Sequence, residues 1–172
     1  GGERAKLDNT NLSDVDLSGV NLYKASLYKT NLSCADLTDA DLSCADLSYT
    51  NLKYAYLKDA NLKYANLICV NLNNNDLTNT DLRYSDLSHA DLRRVNLEYA
   101  DLKYVNLSNA NLSNANLKYS DLRGANLENA NLYDVNLRCS SLRGANLKGA
   151  DLTGADLSIA NLSYAILIGA KL

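Results

Sequence analysis

Proline, tryptophan, phenylalanine and methionine are all absent from this chain, and histidine occurs once, at His89. No apolar run approaches the roughly 20 residues of a membrane-spanning helix, so no membrane association is expected. A single histidine leaves no HExxH motif and no serine–histidine–aspartate order, and no glycine-rich loop is placed to cradle a phosphate. The missing methionine and the opening Gly1-Gly2 suggest a processed or excised region, with residues 1–4 as a tail or scar. Cysteine is scarce too: Cys34, Cys44, Cys69 and Cys139.

What the chain has in abundance is leucine on a fixed ruler. The 34 leucines run from Leu7 to Leu172 in steps of five, and none lies off the register. Two positions before each sits a small residue, mostly Ala, otherwise Val, Thr or Ser, and once Asn75. Asn or Asp mostly fills the place between. A helix turns about 100° per residue, so a period of five would spiral the leucines around the whole cylinder. A straight strand alternates with period two and would send successive leucines to opposite faces. The remaining solution is a short extended piece followed by a corner, with the small residue and the leucine both inward. Repeated corners in one direction wind a coil, and coils stacked at the roughly 4.8 Å strand spacing bury the leucines in a column. The sequence predicts a solenoid.

The outward residues suggest how many corners make a turn. Lys63, Arg83, Lys103, Arg123 and Arg143 follow leucines at steps of twenty, and Tyr64, Tyr84 and Tyr104 follow one position later. Stacking at twenty residues implies four units per coil and a square cross-section. The four cysteines then fall on four different faces, which excludes the Cα separations below about 7 Å that disulfides require. Free thiols suit a reducing compartment and point to the cytoplasm. Cys69 and His89 are twenty apart and should be neighbours, but two ligands do not make a structural zinc site, which takes four.

The runs Ala35-Asp36-Leu37-Thr38-Asp39, Ala110-Asn111-Leu112-Ser113-Asn114 and Ala150-Asp151-Leu152-Thr153-Gly154 resemble the A(D/N)LXX motif of the pentapeptide-repeat proteins. The resemblance covers residues 5–172. It implies an all-β fold, a right-handed quadrilateral parallel β-helix of about 8 coils of four repeats, forming a rod roughly 40 Å long at that spacing. The best-known activity of the family is binding DNA gyrase by mimicking duplex DNA, which asks for an acidic outer surface and commonly a dimer joined through C-terminal helices. This chain departs on both counts. Outside the slot before leucine, fifteen basic residues face eight acids, and no helix is expected after the last repeat.

Twelve of the twenty acids are Asp in the slot before leucine, where Asn substitutes freely. That pattern indicates local hydrogen bonding and marks out no pair of carboxylates with divergent pKa values. The chain is therefore expected to be non-catalytic and without cofactor or metal: a rigid protein-interaction or scaffold module. Gyrase modulation is the alternative, and polyanion binding on the basic face a remoter one; nucleic acid is not the expected partner. The expected partner-binding face is Lys63, Tyr64, Arg83, Tyr84, Lys103, Tyr104, Arg123 and Arg143, weighed against a plain solvated ladder neutralised by Asp81, Asp101 and Asp121. At the other end Ile159, Ile166 and Ile168 occupy outward slots. They are a candidate end-to-end contact, with a second copy, further chain or no cover at all as the options. Asn75, pointing inward, should bond to neighbouring backbone and deform its corner, and the inward Thr and Ser residues need local partners as well.

Overall fold

The computed structural model describes residues 4–172; of the tail expected over 1–4, residues 1–3 lie outside the described residues. The backbone repeats one unit throughout: a bridge residue before each leucine, the leucine, and a two-residue turn. Parallel bridges join each pre-leucine residue to the one twenty further on, from Lys6–Ser26 to Asp151–Lys171. One circuit of the coil is therefore four units, and the rod has four faces.

A central corner shows the bonding. Leu102 N–H donates to the Asp121 carbonyl at 2.8 Å and Tyr104 N–H to the Arg123 carbonyl at 3.0 Å. Asp121 N–H returns to the Ala100 carbonyl at 3.1 Å, and Val105 N–H closes the corner on the Leu102 carbonyl at 3.2 Å. The third residue of each such turn has a left-handed backbone, with φ from 52° at Asp134 to 74° at Gly154. Few of these are glycine. Each of the others carries a conformational cost of about 1–2 kcal/mol, which the inter-coil ladder and the leucine column must offset.

The core is that column. From Leu27 to Leu147 the leucines are buried to within a few per cent, with the small residues packed beside them. Leu7, Leu12 and Leu17 are only partly buried, and the inward Val15 and Val20 are 37% exposed, because the first coil is covered on one side alone.

The Asn/Asp slot does two jobs. Its Oδ1 accepts the N–H two residues on, as Asp36 does from Thr38 at 2.9 Å and Asn111 from Ser113 at 3.1 Å, which stiffens the corner. Asn adds a bond that Asp has no proton to make. Its Nδ2 donates to the coil before, giving the ladders Asn51–Asn31–Asn11 at 3.0 Å and Asn146–Asn126–Asn106 at 3.1 Å. Inward hydroxyls find carbonyls: Thr50 bonds Leu27 at 2.7 Å, and Ser85, Ser120 and Ser140 bond the leucine three residues back.

Asn75 is the one large inward polar group, and it changes the ladder. Its Nδ2 donates to the Leu52 carbonyl at 2.7 Å and the Ala55 carbonyl at 3.3 Å. Tyr54 N–H, which the register would pair with the Asn73 carbonyl, donates to Asn75 Oδ1 at 3.2 Å instead. The regular ladder bonds of Leu52 and Leu57 to the next coil are likewise missing. A small hollow of about 230 Å³ opens there beside Tyr54, Tyr56 and Asn74. Tyr56 itself projects into solvent, as its place in the Asn/Asp slot implies.

Candidate interaction face

Asp81, Asp101 and Asp121 stack in one column on consecutive coils. Three like charges at strand spacing repel, and the neighbouring cations fold back to answer them. Arg83 grips Asp81 through two nitrogens, and its Nε reaches Asp101 at 3.6 Å. Lys103 Nζ lies 2.8 Å from Asp101 and 3.6 Å from Asp121, and Arg123 holds Asp121 at 2.6 Å. Arg93 does the same with Asp91 at 2.6 Å on another face.

The pKa shifts follow from these contacts. Partial burial works against ionisation of Asp81 and Asp121, yet the bonds and charge of Arg83 and Arg123 outweigh it and hold both carboxyls below the usual range. The hydrogen bond from Arg93 does this for Asp91. The hydrogen bond to Asp101 raises Lys103. Three of the five stacked cations, Arg83, Lys103 and Arg123, thus pair with the acidic slot beneath them, the arrangement of a ladder neutralised by Asp81, Asp101 and Asp121.

The two end members differ. Lys63 lies over its neighbour Tyr64, 5.0 Å from the ring centre. Arg143 follows Ser141, the place where the column runs out of aspartate. Among the described residues no carboxylate pairs with it, and its guanidinium sits 5.7 Å from the ring centre of Tyr164.

Tyr64, Tyr84 and Tyr104 form a stack beside these charges, with ring centres 5.1 Å apart and planes within 14°. Tyr99 and Tyr119 stack likewise on another face. The first stack breaks at Gly124. Tyr104's ring lies across that glycine so closely that a Cβ there would meet it at 2.6 Å, whereas Gly144, one coil on, has nothing within 4 Å. Tyr164 resumes the column. Between Tyr104 and Tyr164 this leaves a notch of about 510 Å³, floored by the two glycines and edged by Lys103, Arg123 and Arg143. Arg143 is legible in the sequence as a member of the basic column, but the notch beside it is not. Its trace there is glycine at 124 and 144 in a tyrosine column and serine at 141 in an aspartate column.

Ile159, Ile166 and Ile168 are exposed, together with Tyr164 and Leu172. All four cysteines are free thiols. Cys69 sits beside Tyr49 and pushes its phenol up. Among the described residues no cluster of three metal-type ligands occurs and no helix is long and apolar enough to cross a membrane.

The five-residue register is matched by the family model for pentapeptide repeats, with eight copies spanning residues 5 to 172. The chain belongs to the pentapeptide-repeat family. This pentapeptide-repeat protein is similar in structure to QnrB1, a plasmid-mediated fluoroquinolone resistance protein. That match has 22% identity and a TM-score of 0.71, covering 98% of this chain and 89% of QnrB1. HetL, a pentapeptide-repeat protein involved in heterocyst differentiation regulation from the cyanobacterium Nostoc sp. strain PCC 7120, is 31% identical. The HetL match covers 98% of this chain and 87% of HetL, with a TM-score of 0.32. Rfr23 from the cyanobacterium Cyanothece 51142 is 41% identical over 56% of this chain and 58% of its own, with a TM-score of 0.42. Comparison with curated proteins gives no match. Membership makes the coil of this pentapeptide-repeat protein a right-handed β-helix, and the likeness to QnrB1 is one of fold.

Proposed function

We propose that this pentapeptide-repeat protein is a non-catalytic interaction module: a stiff rod of about 8 square coils that displays one face to a protein partner. The observation that supports this reading is the tyrosine stack of Tyr64, Tyr84 and Tyr104, half-exposed and held in line beside a neutralised charge ladder. Tyrosine and arginine are frequent interface anchors, and here their positions are fixed by the backbone, so little side-chain freedom is lost on contact. The test is chemical cross-linking and affinity capture with the wild-type protein and with Tyr64, Tyr84 and Tyr104 together replaced by serine. The reading expects a specific partner that the triple variant loses while its far-ultraviolet spectrum stays the same. Capture unchanged by the triple substitution would move the interface elsewhere.

Modulation of a topoisomerase is the second reading, favoured by the shared fold with QnrB1 along nearly the whole chain. It expects inhibition or protection of DNA gyrase supercoiling at low protein concentration, and no effect at large excess would remove it. A polyanion track fits less well, since Arg83, Lys103 and Arg123 are already engaged by aspartates. Weak retention on heparin at moderate salt is the expected result.

A further inference from the structure

We infer that the notch between Tyr104 and Tyr164 receives a segment of a partner protein that carries an aromatic ring beside a carboxylate. This rests on the reading of the rod as an interaction module and names the chemistry of one contact. Tyr64, Tyr84 and Tyr104 establish that rings on this face stack at 5.1 Å per coil. The stack then lacks its rungs at Gly124 and Gly144. Tyr104 covers the first glycine, but nothing covers the second. A flat ring entering at Gly144 would find the Tyr104 ring on one side and the Arg143–Tyr164 pair on the other, the offset stacking that aromatic groups favour.

Charge selects the second half of the ligand. Lys103 and Arg123 line the notch, but Asp101 and Asp121 already hold them. Of the three cations that line the notch, Arg143 alone pairs with no carboxylate among the described residues; Ser141 stands where the three coils before it carry Asp81, Asp101 and Asp121. A guanidinium parked on a tyrosine face keeps its hydrogen-bonding edge open and suits one carboxylate in a two-pronged contact. One free cation matches one carboxylate. It does not match a nucleic-acid backbone, whose charges recur every few ångströms and ask for an extended positive track.

The test is fluorescence anisotropy of the full chain with a labelled peptide, Glu-Glu-Tyr-Glu-Glu. The comparison peptides are Gln-Gln-Tyr-Gln-Gln and Glu-Glu-Ala-Glu-Glu, and adenosine monophosphate serves as a nucleotide competitor. The first peptide should bind at least about tenfold more tightly than either comparison, as loss of a charged hydrogen-bonded contact predicts. Arg143→Gln should weaken it by about as much. Gly144→Tyr fills the missing rung without altering charge and should abolish binding. The substitution is tolerable because Tyr64, Tyr84, Tyr104 and Tyr164 occupy this corner slot with φ of 57° to 62°. Arg93→Gln, on another face and paired with Asp91, should leave the affinity unchanged. The inference is overturned if the acidic tyrosine peptide does not bind, if both notch variants bind it like wild type, or if adenosine monophosphate displaces it at lower concentration than free peptide does. A partner captured by wild type and equally by Arg143→Gln would overturn the notch and leave the interaction module standing. Loss of capture in the tyrosine-to-serine protein, with the notch variants also impaired, supports both.

Discussion

Replacing Asn75 by alanine removes two amide bonds from the interior but lets Tyr54 N–H return to the Asn73 carbonyl. Alanine is the usual occupant of that slot, so the ladder should close. The expected result is a gain of about 1 kcal/mol in urea unfolding, comparable to one net hydrogen bond, with slower amide exchange at Leu52 and Tyr54. A loss of stability would mean that the amide contributes more than the regular ladder does. Ile159 offers a second test. It holds φ of 60° with a β-branched, largely exposed side chain, a combination that sterics disfavour strongly. Ile159→Asn should raise the thermal midpoint, by about 1 kcal/mol of relieved strain, since Asn visits the left-handed region readily.

At the scale of the element, the ion pairs of the charge ladder and the Arg93–Asp91 pair on another face set the response to acid. Asp81, Asp91 and Asp121 have carboxyl pKa values held below the ordinary range in the folded chain. A depressed folded pKa adds stability above the unfolded value of about 3.9, and that stability drains away as pH falls through the lower folded value. Urea midpoints measured downward from neutral pH should therefore stay flat to about pH 4 and then drop. Changing these three residues to Asn, which keeps the corner hydrogen bond, should flatten the decline. A drop equally steep in the triple variant would assign the acid sensitivity elsewhere. How far this ladder was legible in the sequence depends on which slot is considered. The leucine ruler fixed the corners, because an odd period admits no straight element, and the steps of twenty at Lys63 to Arg143 placed the cations in one column. Periodicity says where a side chain starts but not where its end goes. Arg83 and Lys103 begin in outward slots and bend back onto aspartates, so their charge is spent locally. The notch was hidden for a related reason: it is made by what two glycines and a serine omit, and a pattern search for chemistry-bearing residues passes over such positions.

At the scale of the molecule, each coil touches only the coils on either side, so stability accumulates rung by rung. Leu102→Ala in a fully buried central rung should cost about 2–5 kcal/mol, because the fixed neighbouring coils cannot collapse into the space. Hydrogen exchange should show where that cost falls. In wild type the amides of the outer coils, where Leu7, Leu12, Leu17, Leu157 and Leu162 are only partly buried, should exchange fastest, and those near Leu102 slowest. In the variant the fast zone should spread inward to the cavity. Uniform acceleration along the whole rod would indicate a more cooperative body than neighbour-only contacts allow.

The loosened rungs at Asn75 bear on how such a rod would carry load. A tensile force along the axis is shared in series, so every junction feels the same pull and the one with the fewest cross-links yields first. That junction lies between the rung of Leu52 and Leu57 and the rung of Asn75. Stretched from its ends, the protein would tear at this perforation and separate into two shorter springs before either unwound.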